Sequence, residues 1–231
     1  MKKIRDKALL LLGHYKWHIA IVLFFTVVIT IMTVQMCHKE KYDVSVMYAG
    51  DSVLGGNQSI AIQSALSALA TDVDGDGEVK PLFYSLIIMS DEELLRAYDN
   101  GASTSTLNKD VILKDTDAFN ANIMSDEYVL LMLSPERYEI MSKNGALESL
   151  DSLGVDLGSC ERVGEYGVLL HSIDFTKGFS AFAALSDDTV VCVKRLSELH
   201  QGKNKYEVRR MEAVALFKAL VEYKLPEGIA P

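Results

Sequence analysis

The sharpest chemical spacing in this chain is Asp72-Val-Asp-Gly-Asp-Gly-Glu78. Acids at Asp72, Asp74 and Asp76 followed by Gly77 reproduce the opening of an EF-hand-type loop. Ca²⁺ takes six to eight oxygen ligands, and this alternation converges three carboxylates while the glycine permits the sharp bend. Glu78 would add its backbone carbonyl. The glutamate expected at the twelfth position is Phe83, so the ion held by Asp72, Asp74, Asp76 and Glu78 would be weakly bound and structural. The competing reading is a turn whose Asp and Gly serve conformation alone. No other cofactor is implied.

Nucleophiles and bases give no comparable pattern. His14, His18 and His38 flank or enter an apolar segment, which leaves His171 and His200 for the rest of the chain. HExxH, GxSxG, Walker-type and CxxC motifs are all missing, and Ser180 in Gly-Phe-Ser-Ala-Phe lacks the second glycine of a nucleophile elbow. His171 reads as a hydrogen-bonded strand residue. Cys160 and Cys192 either pair in an oxidising compartment or stay free, and the apolar surroundings of Cys192 favour a buried thiol. Tyr42, Tyr48, Tyr84, Tyr128, Tyr138 and Tyr166 line a pocket or an interface, or form the edge of a core. Lys203, Lys205, Arg209 and Arg210 form a basic cluster, suited to a solvated helix start or to anionic lipid or wall polymer. These residues predict a non-enzyme, although a hydrolytic site assembled from distant segments stays open.

The elements that would position them alternate. Tyr42–Ala49 has the period of a strand and stops at Gly50-Asp51, and a helix is expected over about 58–70. A β-rich run spans 79–89. Ser90 and Glu93 form a capping box for a helix to about Tyr98. Residues 100–112 read as a loop, and 116–124 as helix. The apolar run from Tyr128 to Leu133 is a buried strand, and Pro135 suits the first turn of a helix to Lys143. Strands at 167–173 and 189–193 precede a last helix over about 205–224, closed by Pro226. This order predicts an α/β fold, a mostly parallel sheet with helices on both faces.

Charge divides the chain. Residues 1–36 hold five basic residues and one acid, a net of +4, which leaves −13 for the remainder of a 231-residue chain of net charge −9. So acidic a body is a poor partner for nucleic acid, which needs a basic footprint. From Trp17 to Cys37 no residue is charged. About 20 apolar residues span a hydrocarbon core, so one transmembrane helix is expected at 17–37, with Thr26, Thr30 and Thr33 returning their hydroxyls to the backbone. The basic flank places 1–16 as a cytoplasmic tail and 38–231 as an extracytoplasmic domain. Val34-Gln35-Met36 lacks the small residues of a cleavage site, and Met36 precedes Cys37 where lipidation would want a small residue.

The run Asp117-Ala-Phe-Asn-Ala-Asn-Ile-Met-Ser-Asp-Glu-Tyr-Val-Leu-Leu-Met-Leu-Ser-Pro135, followed by Gly145-Ala-Leu-Glu-Ser-Leu-Asp-Ser-Leu153, resembles the first lobe of the extracellular solute-binding proteins of ABC transporters. The resemblance covers about 42–153 and, more loosely, the final strand and helix. It implies a type 2 periplasmic-binding-like fold reduced to one lobe. With half of the usual cleft missing, the expected function is a membrane-tethered binding or interaction module with a protein partner. A small-solute receptor completed by dimerisation, and a cell-surface hydrolase, are the alternatives.

Overall fold

The computed structural model describes residues 17–18, 20–33, 42–72, 77–101, 103 and 107–225. The chain divides into two units, Met1–Lys41 and Tyr42–Pro231.

In the first unit residues 20–33 form a helix, α1. The threonine expectation holds: Thr26, Thr30 and Thr33 each donate to the carbonyl four residues earlier at 2.8 Å. Among the described residues no helix is long and apolar enough to cross a membrane. The expected span of 17–37 includes Ile19 and Val34–Cys37, which lie outside the described residues, as does the tail at 1–16.

The second unit is α/β. Its elements are β1 (Val44–Gly50), α2 (Gly56–Ser67), β2 (Pro81–Ile87), α3 (Asp91–Asp99), α4 (Lys109–Ser125), β3 (Leu130–Leu133), α5 (Pro135–Lys143), α6 (Leu150–Leu153), β4 (Arg162–Val163), β5 (Gly167–Leu169), α7 (Asp174–Gly178), β6 (Val190–Val193) and α8 (Asn204–Val221). One sheet runs in the order β2-β1-β3-β6-β5-β4. It is mixed, which corrects the expectation of a mostly parallel sheet. β1 pairs parallel with β2 and β3, whereas β6 is antiparallel to both β3 and β5, and β4 to β5. The cause is local. A parallel crossover needs a dozen or more residues, usually with a substantial helix, and α2 and α4 supply them. Only Gly164-Glu-Tyr166 separate β4 from β5, and Gly164 takes φ 57° to close the turn. Between β5 and β6 lie two short 3₁₀ turns and the single turn of α7.

Side chains alternate across the strands. Val46, Tyr48, Leu130, Met132, Val191 and Val193 pack under α2 and α8. Met47, Ala49, Leu131, Leu133, Val190 and Cys192 pack against Phe119 of α4 and Tyr138 and Met141 of α5. Helices therefore cover both faces, as expected. The Ser90–Glu93 capping box forms, and Pro135 opens α5. Two boundaries differ from expectation. Asn108 caps α4 by accepting from Asp110 N and Val111 N, which draws residues 109–112 out of the expected loop. The strand expected at 167–173 ends at Leu169, where the chain turns into a 3₁₀ segment at Leu170–Ser172.

The edge strand β2 is blocked against further pairing along most of its length. Ile88 N–H points toward β1, bonding Gly50 O, so the odd-numbered residues of β2 face outward. Of these four, Pro81 has no N–H, Phe83 N–H donates to Gln63 and Ile87 N–H donates to Asp115 at 2.7 Å, which leaves Ser85 N–H as the outward donor of the strand. Filling edge donors with side chains removes a template for another strand.

Candidate functional site

The densest polar constellation lies at the end of the sheet where β3 begins and β6 finishes. Asp126 caps α4 in the left-handed region at φ 52°, a conformation that Asp tolerates better than most residues. Its side chain is 0% exposed. The segment that leaves β6 wraps around it. Asp126 Oδ2 accepts from Ser197 N–H at 3.0 Å, from the Ser197 hydroxyl at 2.6 Å and from His200 Nδ1 at 2.8 Å. Lys194, 3% exposed, places its ammonium on Asp126 Oδ1. His200 stacks flat on Tyr206 of α8, with ring centroids 3.9 Å apart.

This is a carboxylate hub, and its geometry decides its chemistry. In a Ser-His-Asp hydrolase the acid holds one ring nitrogen and the serine addresses the other. Here Ser197 and Asp126 both meet His200 at Nδ1, with the hydroxyl 3.2 Å away. The serine proton goes to the carboxylate, and Nδ1 carries the hydrogen that bonds it. The imidazole nitrogen nearest the serine is already committed to the carboxylate, so Ser197 is held as a ligand of Asp126 and lacks the serine–imidazole arrangement of a triad. Burial holds Lys194 down at about 8, with the adjoining carboxylate opposing that tendency. His200 is also lowered, by burial first and then by Lys203 and Lys194.

A second ion pair stands beside the hub. Arg210 of α8 grips Glu148 with two nitrogens, and the hydrogen bond to Glu148 is the first cause of the raised arginine pKa. A cavity of about 320 Å³ opens there, lined by both residues with Arg195 and Gln201 among others. Where β1 begins, burial first and Asp43 second push Glu212 up to about 7, against Arg209.

The opposite end of the sheet holds the carboxyl ends of β1, β2 and β3, where open α/β sheets form their ligand crevice. Tyr48 bends over Gly50 there and accepts a hydrogen bond from Ser52 N–H at 2.9 Å. Burial raises Tyr48 to about 12. Asp51 is raised by burial first, with Asp188 and Glu93 adding like charge.

The residues singled out in the sequence are scattered. Asp72 accepts from Gly77 N–H at 2.9 Å, closing a turn, and Glu78 pairs with Lys80 at 2.7 Å. Asp74 and Asp76 lie outside the described residues, among which no group of three or more acidic, His or Cys side chains is placed to hold a metal ion. Cys160 and Cys192 are free. Cys160 packs on the α2/α8 face and Cys192 belongs to the opposite one, so the sheet stands between them and the pairing alternative is corrected. Cys37 lies outside the described residues. His171 leaves the expected strand for the 3₁₀ segment and bonds the Asp187 carbonyl. Tyr48, Tyr128 and Tyr138 are buried, and Tyr84 stacks on Tyr128 at 5.5 Å, which answers to the core-edge reading. Asp126, Lys194 and Ser197 carried no local signal, because they meet only through the β3–β6 pairing. Comparison of the chain with known protein families, curated proteins and solved structures gives no match.

Proposed function

We propose that this chain is a membrane-tethered extracytoplasmic interaction module, non-catalytic, whose α/β domain is similar to one lobe of a solute-binding protein. The observation that carries the tether is the uncharged run Trp17–Cys37, basic on its N-terminal side, leading into a self-contained unit from Tyr42 onward. The non-catalytic reading rests on the hub. Its serine, histidine and aspartate are joined in a way that satisfies the carboxylate and leaves no poised nucleophile, and this argues against the hydrolase alternative. The largely blocked β2 edge, with Pro81 and the Phe83 and Ile87 donors occupied, disfavours strand-to-strand dimerisation through β2.

Topology is tested by C-terminal fusions of the full chain in a bacterial host. Alkaline phosphatase, which folds only outside the cytoplasm, should be active, and a green fluorescent protein fusion should be dark. The reverse pattern would sink the tethered extracytoplasmic reading. A thermal-unfolding panel of sugars, amino acids and peptides tests the receptor alternative, since a ligand of the native state raises Tm by mass action. Adding Ca²⁺ to the same panel, with Asp74→Ala as control, tests the acidic turn at 72–78.

A further inference from the structure

The buried hub fixes a loop that presents an exposed leucine among cations. Leu199 is 79% exposed, although its neighbour His200 is pinned between Asp126 and Tyr206. Around that stacked pair stand Lys203, whose charge depresses His200, and Lys205 and Arg209, with cationic groups 5.7 and 5.9 Å from the Tyr206 ring. Among the described residues none of these three cations lies in a salt bridge with a carboxylate. Of the nearby acids, Glu207 accepts from Gly202 N–H, Glu212 lies within charge range of Arg209, and Glu198 sits beside Leu199 in the loop. A basic surface is exceptional in a body of net charge −13.

We propose that Leu199, with Lys203, Lys205 and Arg209, docks on an anionic lipid surface, the leucine entering the headgroup region and the cations meeting phosphate. Topology supports this occupant. β1 and β3 run parallel and β6 antiparallel to them, so the loop after β6 lies at the end where β1 begins, and β1 is the first strand after residues 17–37 in the sequence. The proposal in this respect rests on the tethered reading. The shape of the patch also selects lipid. A single protruding aliphatic tip ringed by flexible cations suits a headgroup layer, whereas a protein hot spot wants a packed anchor shielded by a rim. A buried ion pair contributes little net stability but holds one geometry, which is what presenting Leu199 requires.

The test uses the full chain reconstituted in vesicles with brominated acyl chains, which quench tryptophan on contact. Trp17 is the sole tryptophan, so Trp17→Phe/Leu199→Trp reports the loop alone, and the native chain reports the tether. In vesicles containing one part phosphatidylglycerol to two parts zwitterionic lipid, Leu199→Trp emission should be quenched. Salt near 0.5 M should release it, as the screening length contracts well below 10 Å. Lys203→Glu added to that reporter should lower the ratio of docked to free domain at least about fivefold. Unquenched Leu199→Trp in anionic vesicles, or equal and salt-insensitive quenching in purely zwitterionic ones, would overturn the proposal. Trp17 left unquenched in the native chain would defeat the tether instead, and quenching at Leu199→Trp would then still stand for the lipid-binding surface.

Discussion

The two ends of the sheet handle buried polarity differently. At the end where β3 begins, Asp126, Lys194, Ser197 and His200 form a closed network in which one carboxylate answers every donor around it. At the carboxyl ends of β1 and β2, Tyr48 spends its hydroxyl on a single backbone N–H and Asp51 sits half-buried among other acids. The first end is built to hold one geometry. The second is a shallow acidic edge, held by the packing of Tyr48 over Gly50 more than by polar bonds. Polar organisation is thus concentrated at the end where β1 and β3 begin, and packing dominates at the end where they finish.

Breaking the hub should produce the largest effect. Asp126→Asn keeps the shape and tolerates the left-handed backbone, but it leaves the Lys194 ammonium buried without a counter-charge. Loss of one partner of a buried ion pair costs about 3–5 kcal/mol. Adding Lys194→Met should recover more than half of that loss, because the stranded charge is then removed. Urea unfolding of the two single variants and the double gives the coupling directly. A loss below about 1 kcal/mol for Asp126→Asn would show that the two ends are equally dispensable.

The crevice end should break through packing. A β-carbon at Gly50 would stand 2.5 Å from the Tyr48 hydroxyl oxygen, so Gly50→Ala forces the phenol off its site. Overpacking of this kind costs about 1–3 kcal/mol. Tyr48→Leu in the same chain should reduce the penalty of the added methyl, which unfolding of both variants would measure. An unchanged midpoint in Gly50→Ala would mean that the ring over Gly50 is free to move.

The next effect sharpens the comparison through pH. Glu212, beside Asp43 where β1 begins, is raised from its usual value of 4.5 to about 7. Its folded form therefore keeps a proton that the unfolded chain has released. This contribution to stability is complete below about 4.5 and is lost as pH rises through 7. The shift sets a ceiling of about 3 kcal/mol, and partial exposure brings the expected value to about 1–2 kcal/mol. His200 has the opposite sign: its lowered pKa removes stability as pH falls through the range below 6.5. The difference between the native chain and Glu212→Gln, followed by Tm from pH 5 to 8, isolates the carboxyl. Parallel curves would remove Glu212 from the account.

Much of the frame was legible in the sequence because it depends on neighbours. The apolar run at 128–133, Ser90 and Glu93 of the capping box, and Pro135 act within a few residues of themselves. The direction of β6 was not legible, since a four-residue apolar strand pairs equally well either way and only the missing crossover helix decides it. The hub was less legible still. Ser197 and His200 stand 71 and 74 residues from Asp126, and nothing local marks an aspartate at a helix end as the centre of a network. The acidic segment at 72–78 has the opposite character, a strong local spacing whose middle residues, 73–76, lie outside the described residues. Among its described residues Asp72 accepts from Gly77 N–H and Glu78 pairs with Lys80, contacts that a metal loop and a plain turn share.

The smallest expected effect completes the contrast. Tyr48→Phe removes only the hydroxyl that receives Ser52 N–H, and the ring over Gly50 is kept. A single hydrogen bond of this type contributes about 1 kcal/mol net, and Ser52 is partly exposed, so water can take up its N–H when the phenol oxygen is gone. The loss should then be under about 1 kcal/mol, a fraction of that for Asp126→Asn. Hydrogen exchange separates the two causes. If Tyr48 serves the crevice loop alone, the Ser52 amide should exchange faster in Tyr48→Phe while the amides of β1 keep their protection. Loss of protection along β1 would mean instead that the hydroxyl anchors the strand, and the crevice end would prove as cooperative as the hub.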